Sequence, residues 1–420
     1  MNAPRVEIVA IGDELMLGDT FDTNGGWLGQ RLAEEGIRVV RRTVVGDDEA
    51  AIRSAINDAL ARTHAVICCG GLGPTPDDRT RAVVADLYGW PLEVDEHWLD
   101  VIRGRFSARG ITMPAINVKQ AEVPRGAILL TNDVGTAPGL LLDSPDLGLT
   151  ILLPGVPREL RWLTEQHVIP ALHARLPRGV PVRKEVLRVT GISESALAER
   201  IADIEASLAP LSVAYLPNGT GIDIRITAWG DVPAETAADA LREAAGKLRE
   251  RLGRLVYGHA GADLAVLVGE ALRRRGWKLA AAESCTGGLL AKRMTDVPGS
   301  SDYFLGGVVS YANEIKRDFL GVPQETIDQH GAVSEAVATA MLAGIRRVLH
   351  ADCGVSITGV AGPGGGSPEK PVGTVWIGTA TPEREKVKLL RLFGARDEIR
   401  ERSVQAALKQ LFDQLSDEEP

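Results

Sequence analysis

Aromatic residues are scarce in this 420-residue chain, at 4% of the total. The stacking platforms on which single-stranded nucleic acid is held would have to be built from very few rings. Cysteine is also sparse: Cys68, Cys69, Cys285 and Cys353 form no C-x-x-C pair and no spaced Cys/His set, so neither a zinc site nor a disulfide framework is indicated and reduced thiols are expected. No segment approaches the roughly 18 uninterrupted apolar residues of a membrane span. A soluble protein with no membrane partner is expected. An excess of positive charge is missing too, the formal net charge being -9. That balance counts against broad binding to a phosphate backbone, which needs clustered Lys and Arg, and leaves only a local basic patch. The first residues lack the apolar centre of a signal peptide and lead directly into Val6-Glu7-Ile8-Val9, so a cytoplasmic location is expected.

The composition is otherwise that of a globular protein, 45% hydrophobic and 25% charged. Single cores stop growing at roughly 250 to 300 residues, so this length implies two or three domains. Residues 5–160 alternate short apolar runs (Val6 to Ile11, Val39 to Val44, Ala65 to Cys69) with amphipathic stretches (Thr23 to Glu35, Glu49 to Ala61). This is the pattern of a parallel sheet covered on both faces, whose ligands sit beyond the carboxyl ends of its strands. Gly36 stands where a helix C-cap is expected, and Asp47-Asp48-Glu49 puts negative charge at a helix start. A helical stretch ends near Leu176, and Pro177 to Val182 reads as a linker. Residues 184–257 read strand, helix, a hairpin turning at Asn218-Gly219, and a long helix from Ala234 to Leu252, a small α+β module. From about 262 a second α/β core begins with helix Leu264 to Arg275 and strand Trp277 to Ala282, followed by strands Val308 to Tyr311, Cys353 to Thr358 and Gly373 to Thr379. The fold class is therefore α/β, two doubly wound domains joined by a small α+β module, with an acidic, disordered tail over 413–420.

In the last domain a strand runs into Glu283-Ser284-Cys285-Thr286-Gly287-Gly288 and then a helix. A serine there would stand at the sheet's carboxyl edge, with amides of the next helical turn free to hold an oxyanion. A simple helix cap by Ser284 or Thr286 fits the same pattern. Lys316 follows Tyr311 by five residues. A desolvated Lys can activate a hydroxyl, whereas a solvated one is only surface charge. Thr358-Gly359-Val360-Ala361-Gly362-Pro363-Gly364-Gly365-Gly366 exposes many amides and suits either a phosphate cradle or a flexible connector, and is neither a Walker A loop nor a strict dinucleotide fingerprint. Cys285 is a competing nucleophile within the same motif, although adjacent residues of such a turn cannot both face one substrate carbon.

Together with His330-Gly331-Ala332-Val333-Ser334-Glu335, these segments closely resemble the motifs of the CinA carboxy-terminal family, nicotinamide mononucleotide deamidases, over about residues 262–412. The resemblance implies that Ser284 attacks the carboxamide, that Lys316 deprotonates it with Tyr311 nearby, and that Thr286, Gly287, Thr358, Gly359 and Gly362 help bind the nucleotide. Arg396 or Arg400 would meet the substrate phosphate. No metal or other cofactor is implied for this step.

In the first domain, Gly12-Asp13-Glu14-Leu15, Asp22-Thr23-Asn24 and Gly70-Gly71-Leu72-Gly73-Pro74-Thr75-Pro76-Asp77-Asp78 all follow strands. Glycines allow close approach to phosphates. The aspartates suit either a divalent ion or helix capping. With Gly135-Thr136-Ala137-Pro138-Gly139 and Pro154-Gly155-Val156-Pro157, the set is similar to the molybdopterin-binding-like domain of full-length CinA proteins. That resemblance assigns residues 1–176 to this domain, 184–257 to a KH-like module and 262–412 to the deamidase. It implies a pyrophosphatase that splits ADP-ribose with a divalent ion (Mg, Mn or Co) on Asp13, Asp77 and Asp78. Gly12, Glu14, Asn24, Gly70, Gly71, Gly73, Thr75, Lys119 and Gly155 would then meet nucleotide or phosphate, with Gln120 beside them. Nicotinamide mononucleotide and ADP-ribose are the expected small-molecule partners, and a homodimer is expected. Two other readings remain open at this level: molybdopterin chemistry in the first domain, and a non-enzymatic adaptor in DNA uptake or recombination.

Overall fold

The computed structural model describes residues 4–63, 65–177, 179–230 and 232–417. It divides into two compact units, one holding the chain up to Arg183 together with Ala228–Ala238, the other holding Lys184–Thr227 and the chain from Asp239 onward.

In the first unit, β1 (Arg5–Ile11), β2 (Arg38–Val45) and β3 (Ala65–Cys69) are parallel. A separate antiparallel ribbon pairs β4 (Leu92–Val94) with β5 (Glu122–Pro124). The main sheet is completed by β6 (Ile128–Leu130), β7 (Gly139–Ser144) and β8 (Gly148–Leu153), in the order β2-β1-β3-β8-β7-β6. Alternate side chains feed two cores. Val6 and Ile8 pack with Leu28 and Leu32 of helix Thr23–Glu34, while Val9 and Ile11 pack with Ile52 and Ile56 of helix Glu49–Thr63. The chain passes from β1 to β2 on one side and then to β3 on the other, so a crevice opens at the carboxyl ends of β1 and β3. The sheet is not wholly parallel: β7 runs against both β8 and β6, because residues 145–147 between β7 and β8 permit a hairpin but no crossover.

Gly36 (φ 75°) does end helix Thr23–Glu34, and the amide of Ile37 returns to the Leu32 carbonyl at 2.9 Å. The stretch read as a linker is partly bound. The Val182 amide donates to the Ala33 carbonyl at 2.9 Å, and Gly179 lies directly on Gly36, where a Cβ on either would fall within 2.5 Å of the other's backbone. Arg178 of that stretch is outside the described residues.

β9 (Arg183–Val189), β10 (Ser212–Asn218), β11 (Gly221–Ala228) and β12 (Val256–His259) form a sheet ordered β10-β11-β9-β12, accompanied by helices Glu194–Ser207 and Ala234–Leu252; all but Arg183, Ala228 and the first residues of that last helix belong to the second unit. The following sheet holds β13 (Leu279–Glu283), β14 (Phe304–Val309), β15 (Cys353–Gly359), β16 (Thr374–Ala380) and β17 (Glu385–Arg391), ordered β14-β13-β15-β16-β17. Here β13 is parallel to β14 and β15, whereas β16 and β17 are antiparallel additions joined by residues 381–384. Leu279 and Ala281 face helices Leu264–Arg275 and Arg396–Asp417, and Ala280 and Ala282 face helix Glu335–Leu349. The all-alanine middle of β13 lets these helices approach closely. Residues 413–417 are not a loose tail, since they continue the last helix, Leu415 is buried and Asp417 pairs with Arg254 and Arg384. Residues 418–420 of the expected tail lie outside the described residues.

Glycine at 344 is set by packing: in helix Glu335–Leu349 a Cβ there would stand 2.0 Å from the Leu320 carbonyl oxygen. Alanine in a helix interior ordinarily stabilises by about 0.5–1 kcal/mol over glycine. Gly344→Ala is expected to do the opposite and lower the melting temperature of this unit, which thermal circular dichroism would read.

Candidate active sites

Ser284 is the first residue after β13, and its amide donates to the Ile357 carbonyl at 2.9 Å, fixing it at the sheet edge. Lys316 sits on helix Asn313–Asp318 and is 1% exposed. Its Nζ lies 3.2 Å from Ser284 Oγ, 2.6 Å from the Ser310 carbonyl oxygen and 3.2 Å from that of Tyr311. A neutral amine fits this arrangement well: two N–H bonds go to the carbonyls and the lone pair is left for the serine proton. Burial pushes the Lys316 pKa below its ordinary value, against smaller opposing effects from Cys285 and Glu314.

Tyr311 enters differently from the expectation. The strand stops at Val309, and Tyr311 lies beyond it with 64% of its surface exposed. It meets Lys316 through its backbone carbonyl, and its hydroxyl accepts instead from Arg396 at 3.3 Å.

The amides expected to receive an oxyanion are also reassigned. The Glu283 carboxylate, 1% exposed, accepts from the amides of Gly288 (3.1 Å), Leu290 (3.0 Å) and Ala291 (2.9 Å) and so caps helix Leu289–Thr295. Ser284 is thereby relieved of the capping role. Among the described residues, the amides of Cys285 and Thr286 have no acceptor on another residue, and they are the donors nearest Ser284 in the chain. Sequence reasoning quoted Glu283 in its motif without giving it work. Its position directly ahead of a Gly-Gly helix start was the available signal.

Thr286 is fully buried, its hydroxyl has no partner among the described residues, and its carbonyl accepts from Arg400 at 2.8 Å. Gly287 (φ 58°) and Gly288 (φ 92°) turn the chain in the left-handed region, where a side chain would be strained. Arg396 donates to the Gly362 carbonyl and, one turn on, Arg400 reaches the Thr286 carbonyl, so both guanidinium groups come to this site. Thr358 is buried and donates its hydroxyl to the Ala332 carbonyl at 2.8 Å, and Gly359 leaves room for Val375 and the Thr374 carbonyl. Both hold the loops around the site together. Cys285 is buried and its thiol is pushed up to about 11, chiefly by burial, which leaves it protonated and unreactive at neutral pH.

In the first unit a cleft of about 510 Å³ is lined by Gly12, Glu14, Asp22, Asn24, Asp47, Gly70, Gly71, Gly73, Asp77, Asp78, Gln120, Gly155 and Glu159 among others. It lies at the crevice between β1 and β3. Asn24 ties the first helix to the opposite loop, donating to the Gly155 carbonyl at 2.7 Å. Gly70 (φ 112°) and Gly71 (φ 67°) make a turn where a Cβ would strike the Ile11 carbonyl oxygen or the Thr80 hydroxyl.

Asp13, Thr75 and Lys119 are outside the lining residues. The Asp13 and Asp47 carboxylates each accept from the other residue's amide, at 3.1 and 3.0 Å. Asp78 accepts from the Thr75 amide at 2.8 Å and from its hydroxyl, and Lys119 donates to the Thr75 carbonyl at 2.7 Å. Among the described residues no three His, Cys, Asp or Glu side chains converge as a metal-binding group. The cleft nonetheless gathers negative charge: the Asp47 carboxyl is raised above its ordinary value by burial and further by the charges of Asp13, Glu14 and Asp77, against the hydrogen bond from the Asp13 amide. A cation completed by phosphate oxygens fits such a lining. Asp47 and Glu159 were not expected here.

The family profile described as CinA C-terminal domain matches residues 261–415, that of a probable molybdopterin binding domain residues 7–174, and that of the damage-inducible protein CinA KH domain residues 184–258. A CinA-like protein of Gemmatimonas aurantiaca is 45% identical over 408 residues, covering 97% of this chain and 95% of that protein. One from Salinibacter ruber is 44% identical over 377 residues, covering 90% and 91%. Among solved structures, the competence/damage inducible protein CihA of Agrobacterium tumefaciens is 41% identical, covers 36% of this chain and 93% of that one, and has a TM-score of 0.35.

All four cysteines are buried. Iodoacetamide at pH 8 is therefore expected to alkylate none of them, Cys285 included, until the protein is denatured, as intact-mass spectrometry would read.

Proposed function

The chain belongs to the CinA family, with a molybdopterin-binding-like domain and a CinA carboxy-terminal domain, and from that premise we propose that its carboxy-terminal domain hydrolyses the amide of nicotinamide mononucleotide. The observation that carries this reading is the contact of the buried Lys316 amine with Ser284 Oγ. Lys316 takes the hydroxyl proton as Oγ bonds to the carboxamide carbon. The carbon–nitrogen bond then breaks, and the nitrogen leaves as ammonia with the proton from Lys316. Water, deprotonated by the same amine, splits the ester to release nicotinic acid mononucleotide. The amides of Cys285 and Thr286 supply the oxyanion donors, and Arg396 and Arg400 supply charge for the phosphate.

For the amino-terminal domain we propose hydrolysis of ADP-ribose to AMP and ribose 5-phosphate. The turns at Gly70, Gly71, Gly73 and Gly155 give backbone access to phosphates. Asp13, Asp77 and Asp78, with Asp47 beside them, would hold a divalent ion, which neutralises phosphate charge when bound. The profile of a probable molybdopterin binding domain favours a second reading, nucleotide transfer to a pterin, and release of AMP from ADP-ribose separates the two. A homodimer working in the cytoplasm is part of the proposal.

Purified protein incubated with nicotinamide mononucleotide and excess EDTA is expected to give nicotinic acid mononucleotide and equimolar ammonia by mass spectrometry; no conversion would sink the deamidase reading. Ser284→Ala should abolish that conversion and leave ADP-ribose hydrolysis intact. Deamidation should climb as pH rises through the depressed Lys316 pKa, where the neutral amine forms, and Lys316→Met should remove the activity.

A further inference from the structure

The carboxyl groups around the amino-terminal cleft are mostly committed. Asp22 accepts from the Gly25 amide at 2.7 Å, Asp47 is held by Asp13, and Asp78 is held by Thr75. Asp77, with Asp13 and Asp78, belongs to the proposed cation set, and Glu14 stands exposed on the short helix Asp13–Leu17 against Gly12. In this cleft no residue assigned so far removes a proton from water.

Glu159 is built into the cleft in another manner. It lies in the first turn of helix Pro157–Leu163, partly buried, and lines the cleft. Asn132, fully buried, donates to Glu159 Oε2 at 2.6 Å and to the Ala137 carbonyl at 2.7 Å, and its own oxygen accepts from the Val134 amide at 3.1 Å. Gly135 makes the space: a Cβ there would lie 1.9 Å from the Glu159 carboxyl carbon. The loop is clamped from behind by Trp98 Nε1 on the Thr136 carbonyl at 3.2 Å and by Arg105 on the Gly135 carbonyl. A loop, a buried amide and a glycine that leaves room for the carboxyl thus place one carboxyl group, whose second oxygen, Oε1, has no hydrogen-bond partner among the described residues. The charges facing it are Arg105 and Arg158. Burial outweighs them and Asn132, and raises this carboxyl above its ordinary value.

We propose that Glu159 is the general base of the amino-terminal hydrolysis. Oε1 takes a proton from the attacking water as the water oxygen bonds to phosphorus. The bond from that phosphorus to the bridging oxygen breaks, and the leaving phosphate keeps the electron pair. The proton on Glu159 then passes to solvent. The assignment rests on reading the cleft as a phosphoanhydride hydrolase.

The test is Glu159→Gln in the full chain with ADP-ribose and Mg. A general base contributes about 100-fold or more, so kcat is expected to fall by at least that factor and the acidic limb of the pH profile, which rises through the raised Glu159 pKa, to disappear. AMP binding measured by calorimetry with Mg, and deamidation of nicotinamide mononucleotide by the same preparation, are expected to persist and show that the variant is folded. A kcat within a few-fold of the parent overturns the assignment. So does a raised KM with unchanged kcat, which would place Glu159 on a ribose hydroxyl. If the parent chain itself releases no AMP from ADP-ribose, the reading of the reaction fails and the base falls with it. An active parent beside an active variant sinks the base alone.

Discussion

The carboxy-terminal site depends on a lysine buried without an acid. Lys316 is 1% exposed and its Nζ meets a hydroxyl and two carbonyls, all uncharged. A buried ammonium lacking a counter-ion is costly, and this burial lowers the Lys316 pKa below its ordinary value. A carboxylate does stand nearby in the chain, on Glu283, but its oxygens are taken by three amides of the following helix. Using that acid as a helix cap accomplishes two things at once: the turn carrying Ser284 becomes rigid, and the lysine is denied a partner that would hold its proton. The same strand, β13, supplies the acid and the serine in adjacent positions, which is why the Ala-Ala-Ala-Glu-Ser order matters more than any one of its residues.

The two candidate sites are of opposite electrical character. Arg396 and Arg400 both reach the carboxy-terminal site, whereas the amino-terminal cleft is lined by Glu14, Asp22, Asp47, Asp77, Asp78 and Glu159. Glycine serves close packing in both: Gly70 lies against the Ile11 carbonyl, Gly71 against the Thr80 hydroxyl and Gly135 against Glu159 in the first unit, and Gly359 against Val375 in the second.

Much of this was legible in the residues. Alternating periodicity located many of the strands and helices of both units, and the ordered motifs fall in loops at strand ends, because such turns are written locally in glycine, proline and acidic residues. What was illegible depended on tertiary contacts. Nothing in Tyr311-Ala312-Asn313-Glu314-Ile315-Lys316 announces that the lysine is buried, or that the tyrosine contributes its carbonyl and turns its ring outward to Arg396. Thr358, expected at the ligand, is turned to the Ala332 carbonyl, 26 positions away. The strand at β16 was legible but its antiparallel direction was not, β17 escaped a reading tuned to crossovers, and Glu159 escaped because its meaning resides in Asn132 and Gly135, remote in sequence.

The separations within the carboxy-terminal site have a kinetic meaning. Ser284 and Lys316 are 32 positions apart, Tyr311 and Arg396 85, and Thr286 and Arg400 114. Contacts of such span close late in folding, since loop entropy must be overcome before they contribute. Burial of Lys316 and its contact with Ser284 therefore belong to the completed fold: before the distant segments meet, the lysine is hydrated and the serine has no amine beside it.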